Sequence, residues 1–301
     1  MKNKTLITIV GPTAIGKTSF SVELAKQLDC EIISADSRQF YKEMSIGTAK
    51  VTPEEMNGVP HHFVDFLSIE EFYTAGQFEN DVLVKLEELF KEKEVVILVG
   101  GSGLYVNSVI SGIDEIPSDL ELRAELNKEL EENGLRHMQQ KLKKLDFDHY
   151  RFMDKQNPQR LIRAIEVCMT TGKKYSELRK HVPKKRDFNI VQVGLTADRE
   201  IIYDRINNRV DEMVNNGLIE EVKSLLPHKE LNSLNTVGYK ELFKHFDGEW
   251  ELDFAVEKIK QNTRNFAKRQ LTWFKKDENT KWFDVIEEKD KIQKYITKSL
   301  K

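Results

Sequence analysis

Eight residues constrain this chain more than any others: Gly11-Pro12-Thr13-Ala14-Ile15-Gly16-Lys17-Thr18, set directly after the apolar run Leu6-Ile7-Thr8-Ile9-Val10. They satisfy G-x-x-x-x-G-K-[ST], a loop whose glycines let successive backbone N–H groups turn inward onto phosphate oxygens. Lys17 adds a point charge, and Thr18 offers a hydroxyl to a Mg²⁺ ion. The following helix aims the positive end of its dipole at the anion. The flanks agree, with a β-branched strand before the loop and an amphipathic helix over Ser19 to Leu28 after it. The loop therefore reads as a phosphate site at the end of a buried strand. It does not say what carries the phosphate, and taken alone it suggests ATP.

The next elements extend the same architecture. Glu31-Ile32-Ile33-Ser34 reads as a second strand, and 41–75 as irregular chain punctuated by Gly47, Pro53, Gly58 and Pro60. Gly76 to Lys91 carries apolar residues at helical spacing, and Val95-Val96-Ile97-Leu98-Val99 suits a strand buried on both faces. Strands alternating with helices indicate a parallel, doubly wound α/β sheet flanked by helices. From Asp119 to about Gly172 no strand is evident. Leu122, Leu126 and Leu130, then Met138, Leu142 and Leu145, then Leu161, Ile162, Ile165 and Met169 predict several short helices. The α/β pattern resumes at Phe188–Leu195, followed by a helix striped with Ile202, Ile206, Val210 and Met213, with Thr196 or Asp198 able to cap it. Lys281-Trp282-Phe283 is a candidate last edge strand. The expected division is an α/β core over 1–114 and 188–301, with an all-helical insertion over 115–187.

Composition narrows the setting. No apolar run is long enough to cross a bilayer, so no membrane partner is expected. Met1-Lys2-Asn3-Lys4 leads directly into the first strand, leaving no room for a signal peptide, and the protein is read as cytoplasmic. Cys30 and Cys168 are far apart and without metal spacing; they read as buried small hydrophobes. The net charge of −3 argues weakly against nucleic acid, but its distribution argues the other way. Lys258, Lys260, Arg264, Lys268, Arg269, Lys275 and Lys276 occupy 258–276 without an acid among them, and a second basic cluster runs from Lys173 to Arg186. An acid-free helix face of that length suits RNA phosphates better than plain solvent.

A phosphate loop that cleaves nucleotides has a partner acid at the end of a neighbouring strand. Here Val95–Val99 runs into Gly100-Gly101-Ser102-Gly103-Leu104-Tyr105, with no acid. The available carboxylate is Asp36, after the second strand. Ligands bind beyond the carboxyl ends of parallel strands, so Asp36, Ser102 and Thr18 are expected to converge near the phosphates. Arg205 and Arg209, four apart, share one helix face and read either as a surface pair for Asp204 or Glu212 or as a phosphate clamp. His61 and His62 on extended chain point to opposite sides and read as structural rather than metal-binding.

Together, several segments resemble the bacterial tRNA dimethylallyltransferase family. They are Gly11–Thr18, Asp36-Ser37-Arg38-Gln39 with Tyr41, Ile46-Gly47-Thr48-Ala49-Lys50, Pro60-His61-His62, Gly100–Tyr105, Gln159–Val167, Val237-Gly238-Tyr239-Lys240 and Thr263-Arg264 through Trp273. The likeness runs in order over roughly residues 5 to 275; Ile15 stands where the family usually has serine, and Ser102 where it usually has threonine. The resemblance implies a P-loop NTPase-like fold and transfer of a dimethylallyl group from dimethylallyl pyrophosphate to the exocyclic N6 amine of the adenosine 3′ to the anticodon. Gly11, Pro12, Thr13, Ala14, Ile15, Gly16, Lys17, Thr18 and Arg209 would then hold the leaving pyrophosphate, with Mg²⁺ on Thr18. Asp36 is the expected general base, joined by Lys17, Thr18 and Ser102 in catalysis. The tRNA, through its anticodon stem-loop, would meet Asp36, Ser37, Arg38, Gln39, Ser102, Arg123, Gln159, Arg160, Leu161, Ile162, Arg163, Asn235, Thr236, Val237, Gly238, Tyr239 and Lys240. The target adenine must leave its stack to react. The chain is expected to act as a monomer. The alternatives are a P-loop small-molecule or nucleotide kinase, a prenyltransferase for free adenine nucleotides, and an RNA-binding module that uses the loop as a switch.

Overall fold

The computed structural model describes residues 4–180 and 182–300. The expectation drawn from residues 1 to 3 lies outside them. Packing divides the chain into two compact units, one running up to Ser111 and resuming at Lys185, the other Gly112–Lys184.

The first unit is built on six strands: β1 (Thr5–Val10), β2 (Ile32–Ser34), β3 (His61–His62), β4 (Val95–Gly100), β5 (Asn189–Thr196) and β6 (Lys281–Asp284). They lie in the order β3-β2-β4-β1-β5-β6, and every pairing is parallel. A parallel sheet must be covered on both faces, and the strands are apolar accordingly. Leu6 and Val10 of β1, Ile33 of β2, and Val96 and Leu98 of β4 pack into one core. Their alternating neighbours Ile7, Ile9, Ile32, Ile97 and Val99 pack into the other. Each such side chain contributes about 1.5–3 kcal/mol on burial. β1 is central, and its end is level with its neighbours: Val10 pairs with Gly100 and with Gly194. The loops leaving β1, β4 and β5 therefore share one rim. After β4 the chain passes to the far side of β1, which makes this rim the point where strand order reverses.

One expectation needs correction. The segment 41–75 is not wholly irregular, since His61 and His62 pair with Ile32 and Ile33 as a sixth strand. His62 Nε2 lies 2.6 Å from Glu31 Oε2, and His61 Nδ1 lies 2.9 Å from the Val59 carbonyl. In the helical region Leu120–Leu145 is interrupted at Gly134, whose φ of 77° and ψ of 171° are not helical, so two helices meet there, as the sequence suggests. The helix Arg199–Asn215 starts at Asp198, as its sequence suggests, although that side chain makes no capping bond.

The second unit packs Leu126, Met138, Leu142, Leu161, Ile162, Ala164 and Ile165 into a core of its own. Its helix Pro158–Thr171 is well delimited. Asn157 accepts from the Arg160 N–H, Pro158 fills the first turn, and Gly172 ends the helix in the left-handed region at φ 67°. Both cysteines are buried and unbonded, and burial pushes the Cys30 thiol up to about 12.

Candidate active site

The phosphate loop hangs from β1 and ends in the helix Lys17–Leu28. Gly16, at φ 99°, caps that helix from the left-handed region, a turn that a side chain would oppose. Ala14 makes the same kind of turn at φ 63°, at a cost on the order of 1–2 kcal/mol that the loop's packing must hold. The first N–H groups of the helix have no intrahelical acceptor and point toward whatever lies before it. Lys17 Nζ donates to the carbonyls of Gly11 (3.0 Å) and Pro12 (2.8 Å), folding its charge over the loop. Burial pushes the Lys17 ammonium down to about 8, with Arg209 adding to the fall and Asp36 opposing it.

Asp36 leaves β2 at the same rim. Its Oδ1 accepts from the Arg38 N–H at 3.2 Å. Burial raises its carboxyl above the ordinary range, while that hydrogen bond and the charges of Lys17 and Arg38 restrain the rise. Beside it, Ser102 Oγ accepts from the Ser37 N–H at 3.0 Å and lies 3.0 Å from Ser37 Oγ. Ser102 N donates to the Ala35 carbonyl. Ser102 thus holds the Asp36 turn as well as lining the cavity.

Most of the expected residues of this unit meet around one cavity of about 500 Å³. Thr13, Asp36, Ser37, Arg38, Ser102, Arg209, Asn235, Thr236, Val237, Gly238 and Lys240 line it, together with an apolar wall of Ile206, Val210, Met213, Ile259 and Phe266. Arg209 faces this space, and burial lowers its pKa against the pull of Glu55, Glu212 and Asp36. Its neighbour Arg205 instead donates to the Ile15 carbonyl at 3.1 Å, bracing the loop from outside. Other expected residues are already engaged. Gln39 Nε2 donates to the carbonyls of Thr48 and Ala49, Arg38 Nη1 donates to Ser233 O at 2.7 Å, and Tyr239 is fully buried.

In the helical unit, Leu161 and Ile162 are core residues. Arg123 and Arg163 both bind the fully buried Glu166, at 2.8 Å in each case. Gln159 and Arg160 are exposed on the first turn of Pro158–Thr171. Of the basic clusters, Lys260 pairs with Asp211, Arg264 with Asn207, Lys184 with Glu115, and Arg186 with the buried Glu79. Lys268, Arg269, Lys275 and Lys276 remain exposed along or just after the helix Leu252–Phe274.

Two structural residues stand outside the expected site set, one of them inside the resembling segment Thr263 through Trp273. Glu221 accepts from the consecutive N–H groups of Ser45, Ile46 and Gly47 and from the Tyr239 hydroxyl, fastening one wall of the cavity. Gln270 reaches the rim from the basic helix, whose charged neighbours suggest a face turned to RNA phosphates. No cluster of three or more His, Cys, Asp or Glu that could enclose a metal occurs among the described residues, and none of their helices is long and apolar enough to cross a membrane.

Comparison with known proteins gives this geometry a context. The chain is 52% identical, over 99% of both lengths, to a tRNA dimethylallyltransferase of Flavobacterium johnsoniae. It resembles the crystal structure of a full-length tRNA isopentenylpyrophosphate transferase from Bacillus halodurans, with 39% identity, a TM-score of 0.73, and 99% and 97% of the two chains covered. It also matches a eukaryotic dimethylallyltransferase acting on tRNA, at 26% identity and a TM-score of 0.76, over 93% of this chain and 74% of that one. The fold is accordingly the P-loop NTPase-like one. The family model described as IPP transferase matches residues 39–277, and the chain belongs to that family.

Proposed function

We infer that this chain is a tRNA dimethylallyltransferase, moving a dimethylallyl group from its pyrophosphate to the N6 amine of the adenosine 3′ to the anticodon. The observation that carries the reading is the company the phosphate loop keeps. One carboxylate, Asp36, shares its cavity with an apolar wall suited to a short prenyl chain, and the relatives are named for this transfer.

The loop amides, Lys17 and Arg209 would hold the pyrophosphate, and their charge opposes the negative charge that grows as the C1–O bond breaks. The N6 nitrogen attacks C1 as pyrophosphate leaves. An adenine amine is barely basic, so its proton has to depart as the new bond forms, and Asp36 takes it. The raised pKa of Asp36 makes it a better acceptor than an ordinary carboxylate, while the charges of Lys17 and Arg38 favour its ionised form. Mg²⁺ binds through one or two protein oxygens plus phosphate oxygens and water, and the Thr18 hydroxyl at the start of the helix Lys17–Leu28 would be one such ligand. When bound, such an ion would neutralise pyrophosphate charge.

Among the residues expected to meet tRNA, exposure favours Asn235, Thr236 and Lys240 in the α/β unit and Gln159 and Arg160 in the helical unit. Arg38 would contribute mainly by fixing backbone, Arg123 and Arg163 by holding the Glu166 carboxylate, and the buried Leu161, Ile162 and Tyr239 by packing. The enzyme is proposed to act as a monomer, and a tRNA substrate puts the work in the cytoplasm.

The test is direct. The protein is incubated with a tRNA anticodon stem-loop, dimethylallyl pyrophosphate and Mg²⁺, and the digested nucleosides are weighed. Prenylated adenosine is expected. An unmodified RNA, together with phosphoryl transfer from ATP to an acceptor, would overturn the reading.

A further inference from the structure

Gln270 lies about one turn from the end of a helix whose neighbouring positions, Lys268 and Arg269, are exposed and basic, yet it is itself only 5% exposed. A buried primary amide must spend its hydrogen-bonding groups on something. Its Oε1 accepts from the Thr13 N–H at 2.8 Å, inside the phosphate loop. Its Nε2 donates to the Gly101 carbonyl at 3.0 Å, in the turn leaving β4. The amide occupies the gap between the two loops so closely that a Cβ on Gly101 would lie 2.3 Å from Nε2. Alanine at 101 would therefore force the amide to shift.

The turn that Gln270 holds is tied to the base. Ser102, the next residue, bonds the Ala35 carbonyl and both the N–H and hydroxyl of Ser37, on either side of Asp36. An unbroken chain of contacts thus runs from Thr13 through Gln270, Gly101 and Ser102 to the Asp36 turn. One end bears on the leaving group and the other on the proton acceptor.

We propose that Gln270 is the positioning residue that keeps the pyrophosphate loop in register with the Asp36 turn. This rests on the transferase reading given above. The phosphate loop and the turn after β4 lie far apart in sequence, and their direct backbone link is the β1–β4 ladder, which stops at Val10 and Gly100. Beyond that point side chains must set their spacing. A primary amide suits the gap because it offers one acceptor and one donor in a fixed plane. Glutamate would keep the bond to Thr13 but set a carboxylate oxygen against the Gly101 carbonyl, and methionine would fill the space with neither bond.

The consequence of losing register is specific. Pyrophosphate would still bind and C1 would still be activated, but the N6 nitrogen would no longer lie on line with a proton acceptor beside it. Water can then take the place of the amine: the C1–O bond to pyrophosphate breaks, a C1–O bond to water forms, the water's proton passes to solvent, and the products are dimethylallyl alcohol and pyrophosphate.

The experiment compares wild type, Gln270→Met and Gln270→Glu with stem-loop RNA, dimethylallyl pyrophosphate and Mg²⁺, measuring prenyl-adenosine and pyrophosphate together, with circular dichroism melts alongside. Wild type should release one pyrophosphate per adenosine modified, which tests the underlying reading separately. Both variants should melt within a few degrees of wild type and keep KM for each substrate within about threefold. Their kcat should fall by about 10²-fold, the scale of a misplacement near 1 Å, and pyrophosphate release should exceed adenosine modification. Unchanged kcat in Gln270→Met would overturn the proposal. So would a loss confined to KM, or a fall in kcat with the product ratio still at one, because each describes a residue that binds or packs without setting register.

Discussion

At the scale of single residues, the proposed site holds two ionisable groups away from their ordinary values. Burial disfavours charge on both Lys17 and Asp36, while each partly restores the other's. The signs differ and so do the pH limbs. Lys17 in the free enzyme loses its proton as pH rises through about 8, so kcat/KM for the prenyl donor should fall above that point. Bound pyrophosphate favours the ammonium, so kcat should stay level to higher pH than kcat/KM does. Asp36, with its pKa raised, is protonated as pH falls through a range above that of ordinary carboxylates, and this should set the acid limb of kcat. Initial rates from acid to alkaline pH, at saturating and at low donor, separate the two. Asp36→Asn should lower kcat by about 10²–10⁴-fold and abolish the acid limb while leaving donor affinity near wild type. Retained transfer in that variant would remove Asp36 as the base.

Among the elements, Glu166 on Pro158–Thr171 organises the helical unit. It is fully buried and accepts from Arg123, Arg163 and the Asp119 N–H, and Asp119 in turn caps Leu120–Leu145. Glu166→Gln leaves two guanidinium groups facing a neutral amide and should destabilise this unit by about 3–5 kcal/mol. The change would be read as an earlier urea transition in far-UV circular dichroism, with donor binding by the α/β unit retained. The elements also differ in how plainly their sequence declares them. β1, β4 and the striped helix Arg199–Asn215 follow from apolar pattern, because a strand or helix that buries a face must carry it. β3 could not be read that way: it is two histidines, and β2 supplies the pairing. The rim residues Asp36 and Ser102 were legible as strand-end positions, whereas Gln270 meets Thr13 across 257 residues and looks in sequence like one more polar site on a charged helix. The same blindness applies to Arg123 and Arg163, whose charge is answered by a carboxylate that only folding brings inside.

For the molecule as a whole, charge is segregated even though the total is only −3. Within the basic run 258–276, Lys268, Arg269, Lys275 and Lys276 are exposed and positioned to answer RNA phosphates, while Lys260 and Arg264 are already paired within the protein. Lys268→Gln with Arg269→Gln should weaken stem-loop binding and flatten its dependence on log salt by roughly 0.7–0.9 for each phosphate no longer neutralised. Lys260→Gln should leave the slope near wild type; filter binding across a salt series distinguishes them. The sheet topology also bears on how the chain is made. Thr5 pairs with Asn189 and Val10 with Gly194, so the central strand waits for a partner that the ribosome adds much later. At synthesis rates of about 5–20 residues per second, that wait lasts roughly 10–40 s. Throughout it, β1 and the loop it carries have one side of their ladder open, and the helical unit, built from elements close in sequence, can fold first. A nascent chain stalled before β5 would therefore expose an apolar strand edge beside an unfinished phosphate loop, a natural client for a chaperone and a poor enzyme.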